Sequence, residues 1–357
     1  KGPIKAILYC IEDVHNIDLV AIALEDPSQL SFNSYQSFLT DITNKSREQR
    51  GLFLMRNNQK VIDSNRHITP SLLPAYPGIS QRVRIENIKS ILIELGLKKV
   101  PIKLVNHHMA HNASSYFTSG KYKGLCLSMD GKGDDLSAMV CVTNNGKIKE
   151  ISRINYIESI GHFYSAITVA LGFKAIRHEG KITGLAAFGK ISKDLLIKFR
   201  SLFDFTSDGK IKSRLADNLI IGPYPHTDFS LYIEKIKKII QGYSREDVAC
   251  CAQKILEEIV TIWVKYWIDK TGMNNIFLSG GVFANVRVNQ KIMDLDGVRF
   301  IYVHPAMTDS GLAVGAAFYS YHEMRESLKL KYTTYELSNV YFGPEYSDDE
   351  ILKVIKK

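Results

Sequence analysis

GLCLSMDGKGDDLSAMVCV, residues 124–142, consists of two apolar, β-rich runs joined by a turn of glycines and acids. GLCLSMD and LSAMVCV have strand length and composition, and GKGDD supplies the punctuation of a tight turn, so the stretch predicts a hairpin. Asp130 closes the first strand and puts a carboxylate at its end. The same layout stands about 118 residues earlier, as AILYCIE, DVHNI and DLVAIAL. A strand, acidic turn, strand unit used twice predicts a duplicated α/β fold of two related lobes, each opening on a hairpin and closing with helices. The cleft between such lobes is the expected site.

The 357 residues are 45% apolar and 23% charged, enough for a sizeable core and two or three domains. No run of about 18 apolar residues could span a bilayer. KGPIKAILYCIEDV enters a strand-like run without the layout of a signal peptide, so the expectation is a cytoplasmic protein with no membrane partner. The five cysteines, Cys10, Cys126, Cys141, Cys250 and Cys251, are odd in number and lie mostly in apolar runs, which argues against a disulfide framework. A formal charge of +9 raises the question of nucleic acid. Between 190 and 240, however, the basic residues alternate with acids at amphipathic spacing and no aromatic-interleaved basic motif accompanies them. They read as solvated helix faces rather than a nucleic-acid surface.

Outward from the hairpin, residues 30–85 are poorly patterned, and ENIKSILIELG restores helical spacing before the strand-like VPIKLV. Asn106 then caps a helix predicted to run to about Gly120. A long helix opens at Ser244 and Asp247 with Val248, Ile255, Ile259, Ile262 and Tyr266 on its buried face. Strand NNIFLS, helix VFANVRVNQKIM, strand RFIYVHP and helix GLAVGAAFYSY follow, the last so rich in small residues that it predicts close packing. After the strand-like SNVYF, Ser347 and Glu350 form a capping box for a short helix. The expected division is a first lobe over 1–122, a second over 123–325, and a linker over 326–357 that starts a further domain.

Three histidines, His107, His108 and His111, crowd the start of the helix capped by Asn106. On a helix His107 and His111 share a face while His108 points about 100° away. That spacing suits two imidazoles on one metal ion, although histidines so spaced also occur in cores and on surfaces. Asp130 at its strand end and Asp309 in the turn MTDSG add two carboxylates. Two histidines and two carboxylates make a mixed nitrogen and oxygen site suited to Fe(II), Mn or Zn rather than a closed structural zinc.

The glycine-rich turns supply candidate nucleotide contacts. They are Gly131 and Gly133 in GKGDD, Lys181 and Gly184 in GKITG, and Gly280, Gly281 and Val282 in LSGGVFAN, where backbone N–H groups at a helix start suit a phosphate. Asn285 and Asn289, four apart, fit a ribose or base; a tight strand-to-helix turn with two solvated asparagines fits as well. Lys181 suits phosphate charge or an exposed loop, and His162 reads as structural.

VNHHMAH, LSMDGKGDD, EGKITGLAAFG, LSGGVFANVRVN and HPAMTDSGLAVGAA, in this order, resemble the O-carbamoyltransferases of the nodulation protein U and tobramycin carbamoyltransferase type. The resemblance runs from about residue 4 to 320, with a poor stretch at 30–85. It implies a duplicated actin/Hsp70/sugar-kinase (RNase H-like) fold with a cleft between the lobes. It also implies carbamoyl transfer to a sugar or natural-product hydroxyl from carbamoyladenylate, itself made from carbamoyl phosphate and ATP by a C-terminal YrdC-like domain. His107, His111, Asp130 and Asp309 match the family's metal ligands, for Fe(II) or for Mn, Zn or Mg. His15, followed by Asn16 and Ile17, matches the residue proposed as base for the acceptor hydroxyl. The chain departs from the family in SYQSFLTDITNKSREQRG, which replaces a charged segment, and at Thr308, which stands where the family has glycine. Threonylcarbamoyl transfer to tRNA on the same fold and a non-catalytic ATP-binding regulatory module are the rival expectations.

Overall fold

Leu125, Leu127 and Met129 alternate with Cys126 and Ser128, and all five are buried, as a strand covered on both faces requires. They lie on β3 (Lys123–Gly133), which pairs with β4 (Leu136–Asn144) around a turn at Asp134 and Asp135. Their φ values of 48° and 62° are those of the primed turn that suits the twist of a hairpin. The computed structural model describes residues 19–23, 89, 93, 99–216, 220–221, 226–227, 229–343 and 345–356. The predicted first hairpin lies largely outside them. Its described part, β1 (Val20–Ala23), pairs in parallel with β2 (Ile102–Val105), where VPIKLV predicted a strand. ENIKSILIELG also lies outside, except Lys89 and Ile93, which are helical.

β3 and β4 sit inside a five-stranded sheet of order β9-β8-β3-β4-β5, with β5 at Lys147–Asn155, β8 at Asn275–Ser279 and β9 at Phe300–Val303. β8 runs parallel to both β3 and β9, so the C-terminal ends of all three point the same way. Short antiparallel strands β6 (Phe203–Phe205) and β7 (Ile211–Ser213) form a separate pair. On one sheet face Leu125, Leu127, Met129 and Val140 pack against α2 (Ile160–Ala170) and α6 (Arg245–Thr271), whose Trp263 is wholly buried. On the other, Cys126, Met139, Cys141 and Phe277 meet Tyr116 and Phe117 of α1 (His107–Phe117). The described helices between α2 and α6 are α3 (Glu179–Leu185), α4 (Lys193–Arg200) and α5 (Phe229–Ile240). After them come α7 (Val286–Met293), α8 (Leu312–Ser327) and α9 (Asp348–Ile355).

Several sequence expectations need correction. The long helix α6 does start at its Ser244 cap and buries Val248, Ile255 and Ile259, but Ile262 is 46% exposed. Its buried stripe passes instead through Trp263 and Trp267, because a straight α-helix drifts from a fixed repeat over 27 residues. SNVYF forms no strand, and Val340, Tyr341 and Phe342 are exposed without a described strand to pair with. VFANVRVNQKIM is broken: Gly281–Ala284 is a 3-10 turn, and α7 begins only after Asn285. In the basic stretch several side chains stand beside acids in ion pairs, among them Lys198–Asp194, Arg200–Glu258, Lys212–Glu158 and Arg214–Asp204. Such exposed pairs add little stability. Cys126, Cys141, Cys250 and Cys251 are free thiols, and no described helix is long and apolar enough to cross a membrane.

The small residues of GLAVGAAFYSY let α8 lie directly on α1. A Cβ added to Gly315 would stand 1.7 Å from the Ala110 carbonyl oxygen. Ala316 and Ala110 pack there with Ala21, Ala23 and Val105, so both helices are held between the five-stranded sheet and the β1–β2 pair. Gly315→Ala sets two effects against each other. Alanine adds roughly 1 kcal/mol of helix propensity, whereas backbone that cannot yield makes overpacking cost about 1–3 kcal/mol or more. The clash wins, and the urea midpoint of Gly315→Ala is expected below that of the wild type with an unchanged slope; an equal or higher midpoint would contradict this packing.

Candidate functional site

Helix α1 is fixed at its first turn by one amide and one carboxylate side chain. Asn106 Oδ1 accepts from the N–H groups of His108 (3.0 Å) and Met109 (3.1 Å), the capping role its position predicts. The His107 N–H donates to Asp134 Oδ2 at 2.7 Å, which ties the helix start to the tip of the β3–β4 hairpin. Gly133 makes this approach possible: a Cβ there would lie 2.1 Å from the His107 ring. The register of β3 and β4 is irregular between Met129 and Gly133, and Asp130 sits in that irregular segment, turned toward α1.

His107 and His111 then converge on the two carboxylates as the sequence predicts. His107 Nε2 lies 3.8 Å from Asp130 Oδ2 and 3.6 Å from Asp309 Oδ1. His111 Nε2 lies 3.5 Å from Asp130 and 3.6 Å from Asp309. All four donor atoms fall within 4.8 Å of one another. A tetrahedron with bonds of about 2.1 Å has edges of about 3.4 Å, so these separations suit donors arranged around an ion. Both Nε2 atoms are buried without a hydrogen-bond partner, an arrangement that is costly unless something else satisfies them. The set fits a divalent cation. Asp309, 71% exposed, leaves one side of the cluster open.

Electrostatics favour the charged forms of Asp130 and His111. Burial alone would raise the Asp130 carboxyl, but the facing His107 and His111 rings outweigh it and hold the group well below the usual carboxylate range. For His111, burial opposes charge while Asp130 and Asp309 more than restore it, and its pKa is raised. His108 points elsewhere, its Nδ1 3.0 Å from Ser128 Oγ. Burial first, then its two neighbouring histidines, lower its pKa to about 3, so it is neutral.

A cavity of about 650 Å³ opens beside Asp130 and Asp309. Of the expected nucleotide contacts, Gly131, Gly281, Val282 and Asn285 line it, whereas Gly133, Lys181, Gly184, Gly280 and Asn289 do not. Lys181 instead lies 5.7 Å from the Phe173 ring centre, and Gly280 donates its N–H to the Met307 carbonyl, which joins the LSGG turn to the one bearing Asp309. Asn289 donates to the Phe283 carbonyl. Asn285 Oδ1 caps α7 by accepting from Arg287 and Val288, and its Nδ2 donates to Gln253 Oε1 at 2.9 Å. Gln253 in turn accepts from the Tyr164 hydroxyl at 2.7 Å. This buried polar wall joins α2, α6 and α7 and has no local sequence signal, because Tyr164 and Gln253 are 89 residues apart. His162 also lines the cavity; burial, with Lys132, lowers it to about 4, and it packs among Tyr156, Phe229 and Tyr232. His15 lies outside the described residues.

Residues 55–318 match the family described as carbamoyltransferase N-terminus. The chain belongs to that family. It is 28% identical over 254 residues to nodulation protein NolNO of Sinorhizobium fredii, covering 71% of this chain and 35% of that protein. It is 23% identical over 235 residues to nodulation protein U of Azorhizobium caulinodans, covering 60% of this chain and 40% of the relative. The chain thus spans less than half the length of these relatives. Full-length HypF in its phosphate- and nucleotide-bound form superposes with a TM-score of 0.44 at 15% identity, over 70% of this chain and 50% of that one. Membership of this carbamoyltransferase family suggests a transferase, with a metal-type cluster at one end of its cavity.

Loss of one direct ligand weakens a metal site by more than the 10 to 100-fold typical of an outer-shell loss. Wild-type chain loaded with Fe(II) or Mn(II) and desalted should retain close to one ion, and His111→Ala close to none, with the same circular dichroism. Equal metal in the two would contradict a site at this cluster.

Proposed function

We propose that the chain is the transferase part of an enzyme that moves a carbamoyl group from carbamoyladenylate to a hydroxyl of a sugar or other natural product. The observation that carries this is the opening of the His107, His111, Asp130 and Asp309 cluster into a nucleotide-sized cavity lined by Gly131 and Gly281, in a chain of the carbamoyltransferase family. The four side chains would hold a divalent cation, Fe(II) or else Mn, Zn or Mg, as a mixed nitrogen and oxygen set suits. When bound, such an ion supplies positive charge where phosphate charge builds up on leaving.

The chain's own residues divide the rest of the work. Gly131, Gly281 and Val282 form the cavity wall beside Asp130 and leave room for a phosphate at close range. Thr183, Glu179 and Asn285, the last backed by Gln253, present polar groups to the nucleoside. The acceptor oxygen forms its bond to the carbamoyl carbon, the bond from that carbon to the phosphate oxygen breaks, and AMP leaves with the electron pair. His15 takes the hydroxyl proton, a role that neutral imidazole suits near neutral pH.

In this account residues 1–122 and 123–325 are the two lobes of an actin-like fold, and 326–357 is the linker toward a YrdC-like domain that forms the adenylate. The greater length of the relatives leaves room for such a domain. Given ready-made carbamoyladenylate and a panel of hydroxyl acceptors, the chain should release AMP with transfer to one of them. From ATP and carbamoyl phosphate it should release no pyrophosphate. Robust pyrophosphate release by the chain, or no transfer from carbamoyladenylate to any hydroxyl or to tRNA, would contradict this division of labour.

A further inference from the structure

Ile176 combines two features that seldom coincide. Its φ is +67°, a left-handed conformation that is a genuine outlier for a β-branched residue, and its side chain is 93% exposed. An isoleucine buried in the core would have its burial to offset the strain; this one does not.

The conformation is held from several sides. The Ile176 N–H donates to Glu179 Oε1 at 2.7 Å, and the same oxygen accepts from Ser165 Oγ of α2 at 2.8 Å. Around it the His178 N–H reaches the Lys174 carbonyl at 3.0 Å, while the Lys174 N–H reaches His178 Nδ1 at 3.2 Å. The turn is therefore fixed, and what it fixes is an apolar side chain at the lip of the cavity, which Ala175, Ile176 and Arg177 line.

The position along α2 tells which part of a ligand lies beneath it. A Cβ on Gly161 would lie 2.9 Å from the Asp130 carbonyl oxygen, so the start of α2 abuts the metal-type cluster. Ser165, which anchors Glu179 and through it Ile176, is four residues on, about 6 Å along the axis. With phosphate at the cluster, the ribose spans that interval and the flat apolar base comes under the lip. An aliphatic side chain offers a phosphate or a sugar nothing, whereas it can cover the face of a purine and exclude water from it.

We infer that Ile176 is a nucleotide-contacting residue whose strained turn holds it as a fixed apolar cover over the base of a bound adenine nucleotide. This rests on the proposed nucleotide reading of the cavity. The strain belongs to the ligand-free protein, and the ligand's base provides the apolar contact that the fold does not.

The test uses AMP with the full chain, by titration calorimetry and thermal melting. Asparagine tolerates the left-handed region better than isoleucine, so Ile176→Asn keeps the turn and removes only the cover. It should melt at or above the wild-type temperature yet bind AMP at least about fivefold more weakly. Ile176→Leu, which keeps an apolar cover, should bind within about twofold of wild type. AMP binding by Ile176→Asn equal to that of a wild type that does bind AMP would overturn the cover and leave the nucleotide reading standing. A wild type that does not bind AMP at millimolar concentration would overturn both.

Discussion

The contact on which the site depends is the seating of the His107 ring on Gly133, with the Asp134 carboxylate on the His107 amide. It fixes the first turn of α1 against the tip of the β3–β4 hairpin. From there the helical repeat brings His111 to the same face one turn on, and the irregular segment before Gly133 brings Asp130 to meet them. Asp309 arrives from the turn after β9, which is joined to the LSGG turn through the Gly280 to Met307 hydrogen bond. Parallel pairing of β3, β8 and β9 puts all of these turns at one end of the sheet. Placing ligands at that end follows the general rule for open α/β sheets.

Packing behind the site explains its rigidity. Helix α1 presses Tyr116 and Phe117 into the sheet on one side and meets α8 at Ala110 and Gly315 on the other. A helix held on both sides cannot rotate to satisfy the buried Nε2 atoms of His107 and His111 from within the protein. They stay unpartnered, and the buried carboxylate of Asp130 stays charged because the two rings face it. Such a cluster is costly to fold without an ion and favourable with one, since whatever binds the folded state alone stabilises it.

The parts of this arrangement that were legible in the sequence are those encoded locally. The Asn106 cap, the His107 and His111 spacing, Asp309 before a helix and the Ser347 capping box each depend on a few neighbouring residues, and each stands in the structure where expected, whereas β3 runs past Asp130 to Gly133 with an irregular register. What failed was non-local. Asn285 lines the cavity but also caps α7 and pairs with Gln253, and Asn289, on a helix that starts later than the glycines suggest, donates to the Phe283 carbonyl and lies outside the cavity lining. Lys181, for which the glycine neighbours suggest a phosphate contact, lies in α3 with its ammonium 5.7 Å from the Phe173 ring centre and does not line the cavity. The positive φ of Ile176 has no sequence signature, because isoleucine is a residue that ordinarily avoids it.

The central claim is that one cluster and one cavity together hold a cation and the phosphate end of an adenine nucleotide. Anomalous diffraction from a crystal of the chain grown with Mn(II) and AMP tests it most directly. The account predicts a single strong anomalous peak at about 2.0–2.3 Å from His107 Nε2, His111 Nε2 and one oxygen each of Asp130 and Asp309, with the AMP phosphate beside it and the nucleoside in the adjoining cavity. A manganese peak elsewhere with this cluster empty, or AMP bound outside the cavity, would contradict it.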